Sequence, residues 1–283
     1  MSKDKGIIGK SGGVIEKNIT MREKLEYLRE IIKEKDSVMI AFSGGIDSSL
    51  VAKIAYEVLG KKALAVTLTS DTFSKRELES AKIIAKEIGI SHKIIESSEL
   101  GNDEFVKNPE NKCYYCKKEE ALVLKRIANK NGIKYIADGV NLSDFDEHRP
   151  GIKALDEEDI IHPLVEAKIK KSDIKAIAKF LGLSNYNMPS TTCLSSRISY
   201  GEEITTEKLK RIEEAESFIL SSGFRQVRVR CHKNIARIEV EKEEMEKAII
   251  FSEEIVRRLK IVGFKYITLD LEGYRSGSMD EAL

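Results

Sequence analysis

Three groups of residues in this chain have types and spacings that can do chemistry. The first is Ser43-Gly44-Gly45-Ile46-Asp47-Ser48-Ser49, set directly between an apolar run and a helical pattern. The glycines let the backbone turn tightly against a ligand. Ser43, Ser48 and Ser49 add hydroxyls, and the free N–H groups of the following helix suit an anion. Asp47 would repel a bare phosphate and so points to a bridging Mg²⁺; the same residue could equally do no more than cap the helix. The second group is thiol. Cys113 and Cys116 form a C-x-x-C that opens a helix, Cys193 lies within Pro189-Ser190-Thr191-Thr192-Cys193-Leu194-Ser195-Ser196-Arg197, and Cys231 stands in a strand pattern beside His232. Such cysteines fit an iron–sulfur cluster, a structural zinc site, a redox pair or plain burial, and spacing alone leaves all four open. The third group is Arg228 and Arg230, which alternate with Val227 and Val229 and therefore share one strand face. Two guanidinium groups so placed can hold a phosphate, or can simply be a solvated face.

The elements that must position these groups are legible as periodicity. Residues 37–42 read as a strand buried on both faces, followed by a helix at 50–59, a strand at 63–68, a helix at 76–88 closed by Gly89, a strand at 92–95, a helix at 117–129 and a strand at 135–137. This alternation predicts a doubly wound, mostly parallel α/β sheet, with ligands beyond the carboxyl ends of its strands. Asn141 and Asp144 follow the fourth strand at such an end; Asp144 suits a second Mg²⁺ contact or a turn cap. After about residue 200 the pattern changes to a charged helix at 206–221, alternating strands at 226–231 and 236–240, a long charged helix and a strand at 266–269. The expected division is a flexible arm over 1–18, an α/β domain over 19–200 and a smaller α+β domain over 201–283. His148 and His162 read as packed or exposed imidazoles rather than catalytic ones.

Composition excludes several classes. In 283 residues there are 48 basic and 47 acidic side chains, so no global positive field draws in nucleic acid. No apolar stretch is long enough to span a bilayer, the first residues lack the apolar core of a secretory signal, and four cysteines are too few for a disulfide scaffold. The expectation is a cytoplasmic globular protein without a membrane partner.

The Ser43–Ser49 segment resembles the signature loop of the PP-loop, or N-type, ATP pyrophosphatases, which cleave ATP between the α and β phosphates and adenylate an oxygen of the substrate. Within them, the Cys193 motif resembles the LarE family of sulfur transferases, as do Asp138-Gly139-Val140-Asn141-Leu142-Ser143-Asp144, Val227-Arg228-Val229-Arg230-Cys231-His232 and the closing Gly273-Tyr274-Arg275-Ser276-Gly277-Ser278. The resemblance covers residues 20 to 280. It implies a PP-loop fold that binds ATP and Mg²⁺ over Ser43, Gly44, Gly45, Asp47, Ser48, Ser49, Gly139 and Asn141, with Asp144 and Glu216 as further metal carboxylates. It also implies Cys193 and Arg197 at the reacting centre, Arg228 and Arg230 on a substrate phosphate, a pyridinium biscarboxylate mononucleotide as substrate, and a homo-oligomer. In family members with C-x-x-C, Cys113, Cys116 and Cys193 resemble ligands of a [4Fe–4S] cluster whose open iron takes a sulfide from a sulfur donor. In members with only the later cysteine, that residue surrenders its own sulfur. Two departures stand out: Met188 occupies a position where the resemblance expects a basic residue, and Cys231 has no counterpart, which suggests a structural role. A transfer-RNA thiolase shares the loop and the cysteines, but the balanced charge speaks against it.

Overall fold

The computed structural model describes residues 20–146, 149–189 and 191–282. The expected arm over 1–18, His148 and Ser190 of the Cys193 motif lie outside the described residues. Four strands, β1 (Val38–Ala41), β2 (Ala63–Thr69), β3 (Ser91–Glu96) and β4 (Tyr135–Ala137), form one sheet in the order β3-β2-β1-β4, parallel throughout. β1 is central, and its side chains divide between two cores. Val38 and Ile40 pack with helices Met21–Lys33, Ile46–Leu59 and Lys171–Phe180, while Met39 packs with Leu124 and Ala128 of helix Lys112–Lys130. Helices on both faces explain why β1 is an unbroken apolar run. The sheet order reverses between β1 and β4, so a ligand crevice opens beyond the ends of these two strands.

A second sheet joins β5 (Val227–His232) antiparallel to β6 (Ile235–Val240) and β6 parallel to β7 (Tyr266–Leu269). The expected α/β class with a smaller α+β unit is what the chain adopts. The second core takes Phe105, Leu194 and Ile198 from earlier in the chain, and Ile198 bridges in parallel to Cys231, so the Cys193 loop runs beside β5. That bridge changes one expectation. β5 does not alternate between a buried and a solvated face: five of its six residues are buried, Arg228 and Arg230 included, because helix Thr206–Ser221 and the loop both pack against it. The long charged helix is also two shorter ones, Met245–Ile250 and Ser252–Ile261, with Phe251 between them turning its ring onto Phe224 at 6.4 Å. Among the described residues no helix is long and apolar enough to cross a membrane.

Candidate active site

The loop after β1 is built by two close approaches. Gly44 has φ +75°, and a Cβ there would lie 2.6 Å from the backbone of Ala81, so only glycine fits. Gly139, after β4, presses against the same loop; a Cβ on it would lie 2.6 Å from Ser48 N and 2.9 Å from the Asp47 carbonyl carbon. The two sequence motifs thus meet at the sheet's reversal point. Within the loop, Ser48 Oγ lies 3.2 Å from Ser43 Oγ and accepts from Ser43 N at 3.3 Å, and Ser49 Oγ donates to Gly45 O at 2.8 Å. Asn185, which is buried, donates to Gly44 O at 3.0 Å and to Ser49 Oγ at 2.9 Å. The first-turn N–H groups of helix Ile46–Leu59 remain free for an anion. Gly139→Ala should therefore displace the loop rather than merely crowd it, costing on the order of a hundredfold in kcat/KM for pyrophosphate release. Steady-state kinetics check this, and an unchanged kcat/KM would count against the contact.

Asp47 pairs one carboxylate oxygen with Lys171, while its Oδ1 is buried without a partner. Burial raises its pKa, with Lys171 pulling the other way and Asp144 adding repulsion. A hard cation fits this oxygen. Asp144 is already engaged: it accepts from Asn141 N at 2.9 Å and Asn141 Nδ2 at 2.7 Å, and Arg149 stands 3.1 Å away. Beside them Asp138 receives His162 at 2.8 Å, and the other ring nitrogen of His162 lies 3.1 Å from Asp156. Burial opposes charge on His162, but the two aspartates outweigh it and its pKa is raised. The stability this pair contributes is full below the ordinary histidine pKa of about 6.5 and is lost as pH rises through the higher folded value. Urea unfolding of the protein and of His162→Gln should therefore show a stability gap at pH 5.5 that narrows by pH 8.5; a constant gap would exclude the titration.

The cysteines lie on segments that meet away from the phosphate loop. Cys113 and Cys116, three residues apart, share a face at the start of helix Lys112–Lys130. The helix begins five residues earlier than its apolar periodicity predicts, so both cysteines are helical. Cys193 lies in the facing loop, its Sγ 3.0 Å from Ser195 Oγ. Cys113 is exposed at the residue level, yet crowding around its sulfur, and the neighbouring Cys193 thiol second, raise it to about 11. Burial raises Cys116 well above its ordinary value, and Glu120 adds to this. Donor atoms of Cys116, Glu99 and Glu120 lie within 4.8 Å of one another, and Glu99 Oε2 is buried without a partner. Of the three cysteines only Cys116 belongs to a group of described residues whose donor atoms converge this closely, and its partners there are carboxylates. Cys231 is fully buried in the second core.

The loop that carries Cys193 is pinned by Arg197. Its Nη1 donates to Thr192 O at 2.6 Å and Cys193 O at 3.0 Å, while Nε and Nη2 reach the two oxygens of Glu216 at 2.9 and 3.1 Å. Glu216 Oε1 also accepts from Val229 N at 2.9 Å. Glu216, which the resemblance makes a metal carboxylate, is buried with both oxygens on Arg197, and its described partners do not include the Asp47 loop. Arg228 and Arg230 do lie together, but under cover. Arg230 pairs with Glu239 at 2.7 Å and donates to Ser196 O at 3.3 Å, and Arg228 stacks on the Tyr274 ring at 5.2 Å. Burial and the nearby Arg197 both lower the Arg228 pKa. Three guanidinium groups thus converge behind the Cys193 loop.

A family model described as NAD synthase matches residues 20–118. Pyridinium-3,5-bisthiocarboxylic acid mononucleotide synthase of Lactiplantibacillus plantarum is 37% identical over 265 residues, 93% of this chain and 96% of its own length. The chain belongs to the LarE family. An uncharacterized protein of Synechocystis is 44% identical over 265 residues, covering 93% of this chain and 99% of its own length. A glutamine-hydrolyzing GMP synthase component from Methanococcus maripaludis is 30% identical over 219 residues, 71% of this chain and 68% of its own length. The NAD synthase model ends at residue 118, before the Cys193 loop and β5, whereas the GMP synthase match extends over 71% of the chain. As a LarE-family member the chain is an ATP-utilising sulfurtransferase. Sequence reading passes over Lys171, Asn185, Asn108, Lys112 and Glu99, which back these centres. Only Lys112 has a local signal, since a lysine in the first turn of a helix opposes the helix dipole.

Proposed function

We propose that this enzyme adenylates a carboxylate of a pyridinium biscarboxylate mononucleotide and converts it to a thiocarboxylate, with sulfur delivered at Cys113, Cys116 and Cys193. The name of the Lactiplantibacillus relative supplies the substrate class. Ser43, Gly44, Gly45, Ser48, Ser49, Gly139 and Asn141 form the ATP cradle, and Asp47 Oδ1 would hold Mg²⁺ there. The loop and the first-turn N–H groups hold the phosphates while a substrate carboxylate oxygen attacks the α-phosphorus and pyrophosphate leaves. A sulfur nucleophile then attacks the acyl carbon, and AMP departs with the oxygen, leaving C–S in place of C–O. Arg228 and Arg230 hold the phosphate of the mononucleotide, and Arg197 fixes the Cys193 loop. Cys113, Cys116 and Cys193 would hold a [4Fe–4S] cluster, which would supply a binding place for sulfide.

The observation that carries this reading is the meeting of the Cys193 loop with the first turn of the C-x-x-C helix, tied by Lys112 Nζ donating to Ser195 O at 3.1 Å. The test is iron, zinc and labile-sulfide content of protein purified without oxygen, beside Cys113→Ala, Cys116→Ala and Cys193→Ala. About four irons per chain, lost in each variant, is the expected result. Metal-free protein that loses about 34 Da on turnover, as a cysteine gives up H₂S, would instead make Cys193 the sacrificed donor. Stoichiometric zinc would overturn both routes.

A further inference from the structure

Lys112 is the least expected group in the thiol centre. It occupies the first position of helix Lys112–Lys130, where the helix dipole already places positive charge, and its side chain is buried, with the residue 3% exposed. Its ammonium donates to Asn108 Oδ1 at 2.6 Å and to Ser195 O at 3.1 Å and lies 4.8 Å from the centre of the Tyr200 ring. All three partners are neutral. Among the described residues no carboxylate stands within ion-pair distance of it. A buried ammonium without an anion is costly, and folded proteins rarely keep one without a counter-charge. Burial lowers its pKa, and the neighbours that most oppose this and favour its charge are Cys193 and then Cys113.

The scaffold around it is rigid. Asn108 is fully buried with φ +55°, and its Nδ2 donates to Ile198 O at 3.3 Å, Ser199 O at 2.7 Å and Glu202 O at 3.1 Å. The lysine is thus held by two acceptors, one of which, Asn108, is itself tied to three backbone carbonyls. Its two ends of attachment are the residue before Cys113 and the carbonyl two residues after Cys193.

We infer that Lys112 is the fixed counter-charge of the sulfur centre, placed to hold the anionic, sulfide-loaded state between Cys113 and Cys193. This rests on the three-cysteine reading above and adds a residue to it. Thiolates and a bound hydrosulfide are all anions, and a buried cation fixed beside Cys113 and the Cys193 loop stabilises each added negative charge. Net charge near a cluster also sets its reduction potential.

The experiment uses the whole chain reconstituted anaerobically with iron and sulfide, as wild type, Lys112→Met, Lys112→Gln and Lys112→Arg. Iron content reports on the three-cysteine reading alone: wild type without iron overturns that reading and this one with it. Given a cluster, the readouts for Lys112 are its midpoint potential and the affinity for hydrosulfide, titrated as sodium sulfide against the absorption spectrum. Both neutral variants should load iron, show a more negative potential and bind hydrosulfide about tenfold or more weakly; Lys112→Arg should stay near wild type on both. Neutral variants with wild-type potential and hydrosulfide affinity would overturn the inference. So would neutral variants that fail to fold, since the charge would then be needed before any sulfur is bound.

Discussion

Replacing Cys193 by alanine is expected to abolish thiocarboxylate formation, by at least about a thousandfold, while ATP is still converted to AMP and pyrophosphate. The separation follows from the geometry. Ser43 to Ser49 are held by Asn185, Gly139 and their own hydroxyls. The Cys193 loop is held by Arg197 and Lys112. Cys193 Sγ itself meets only Ser195 Oγ among its described hydrogen-bond partners, so its loss removes the sulfur without loosening the phosphate cradle. Single-turnover assays that follow AMP and thiocarboxylate together check this. Equal loss of both products would mean that the thiol also shapes the adenylation site. Cys113→Ala and Cys116→Ala extend the test: with a cluster they match Cys193→Ala, and with a sacrificed cysteine they keep one turnover.

How far the sequence reaches differs between the two centres. The phosphate loop is legible because its chemistry is local: Gly44 and Gly45 are adjacent, the strand before them is apolar, and the helix follows at once. The parallel sheet is legible for the same reason, since β1 to β4 are short apolar runs separated by helical periods. The thiol centre is legible only as residue types. Cys113 and Cys193 lie 80 positions apart in number, and nothing local says that Lys112 reaches Ser195 O or that Asn108 holds both Lys112 and the segment after Arg197. The arginines fail for a related reason. Alternation in β5 fixes that Arg228 and Arg230 share a face, but not that Ile198 pairs beside Cys231 and covers it. Burial of a charged strand depends on what packs over it, and that comes from elsewhere in the chain. Glu216 illustrates the same limit: within Glu213-Glu214-Ala215-Glu216 it looks solvated, yet the helical period turns Glu216 inward to Arg197 while Glu214 is left exposed.

The Arg197–Glu216 pair gives the largest stability effect. Glu216 is the only described carboxylate bonded to Arg197, both groups are buried, and Arg228 and Arg230 stand close enough to be repelled when it is neutralised. Breaking such a pair from one side leaves an uncompensated buried charge and costs about 3–5 kcal/mol. Glu216→Gln should therefore fall in stability by that amount, and it also weakens the acceptor of Val229 N. Replacing both partners, Arg197→Met with Glu216→Leu, removes the buried charges together and should recover most of the loss. Activity should not follow stability. The double variant has no guanidinium on Thr192 O and Cys193 O, so the Cys193 loop is free to drift and sulfur transfer stays low even where the fold is restored. Urea unfolding across the four proteins of the cycle, with thiocarboxylate formation measured on each, separates the two roles. Single variants within about 0.5 kcal/mol of wild type would remove the pair from the stability argument. A double variant with full sulfur transfer would show that Cys193 needs no such anchor.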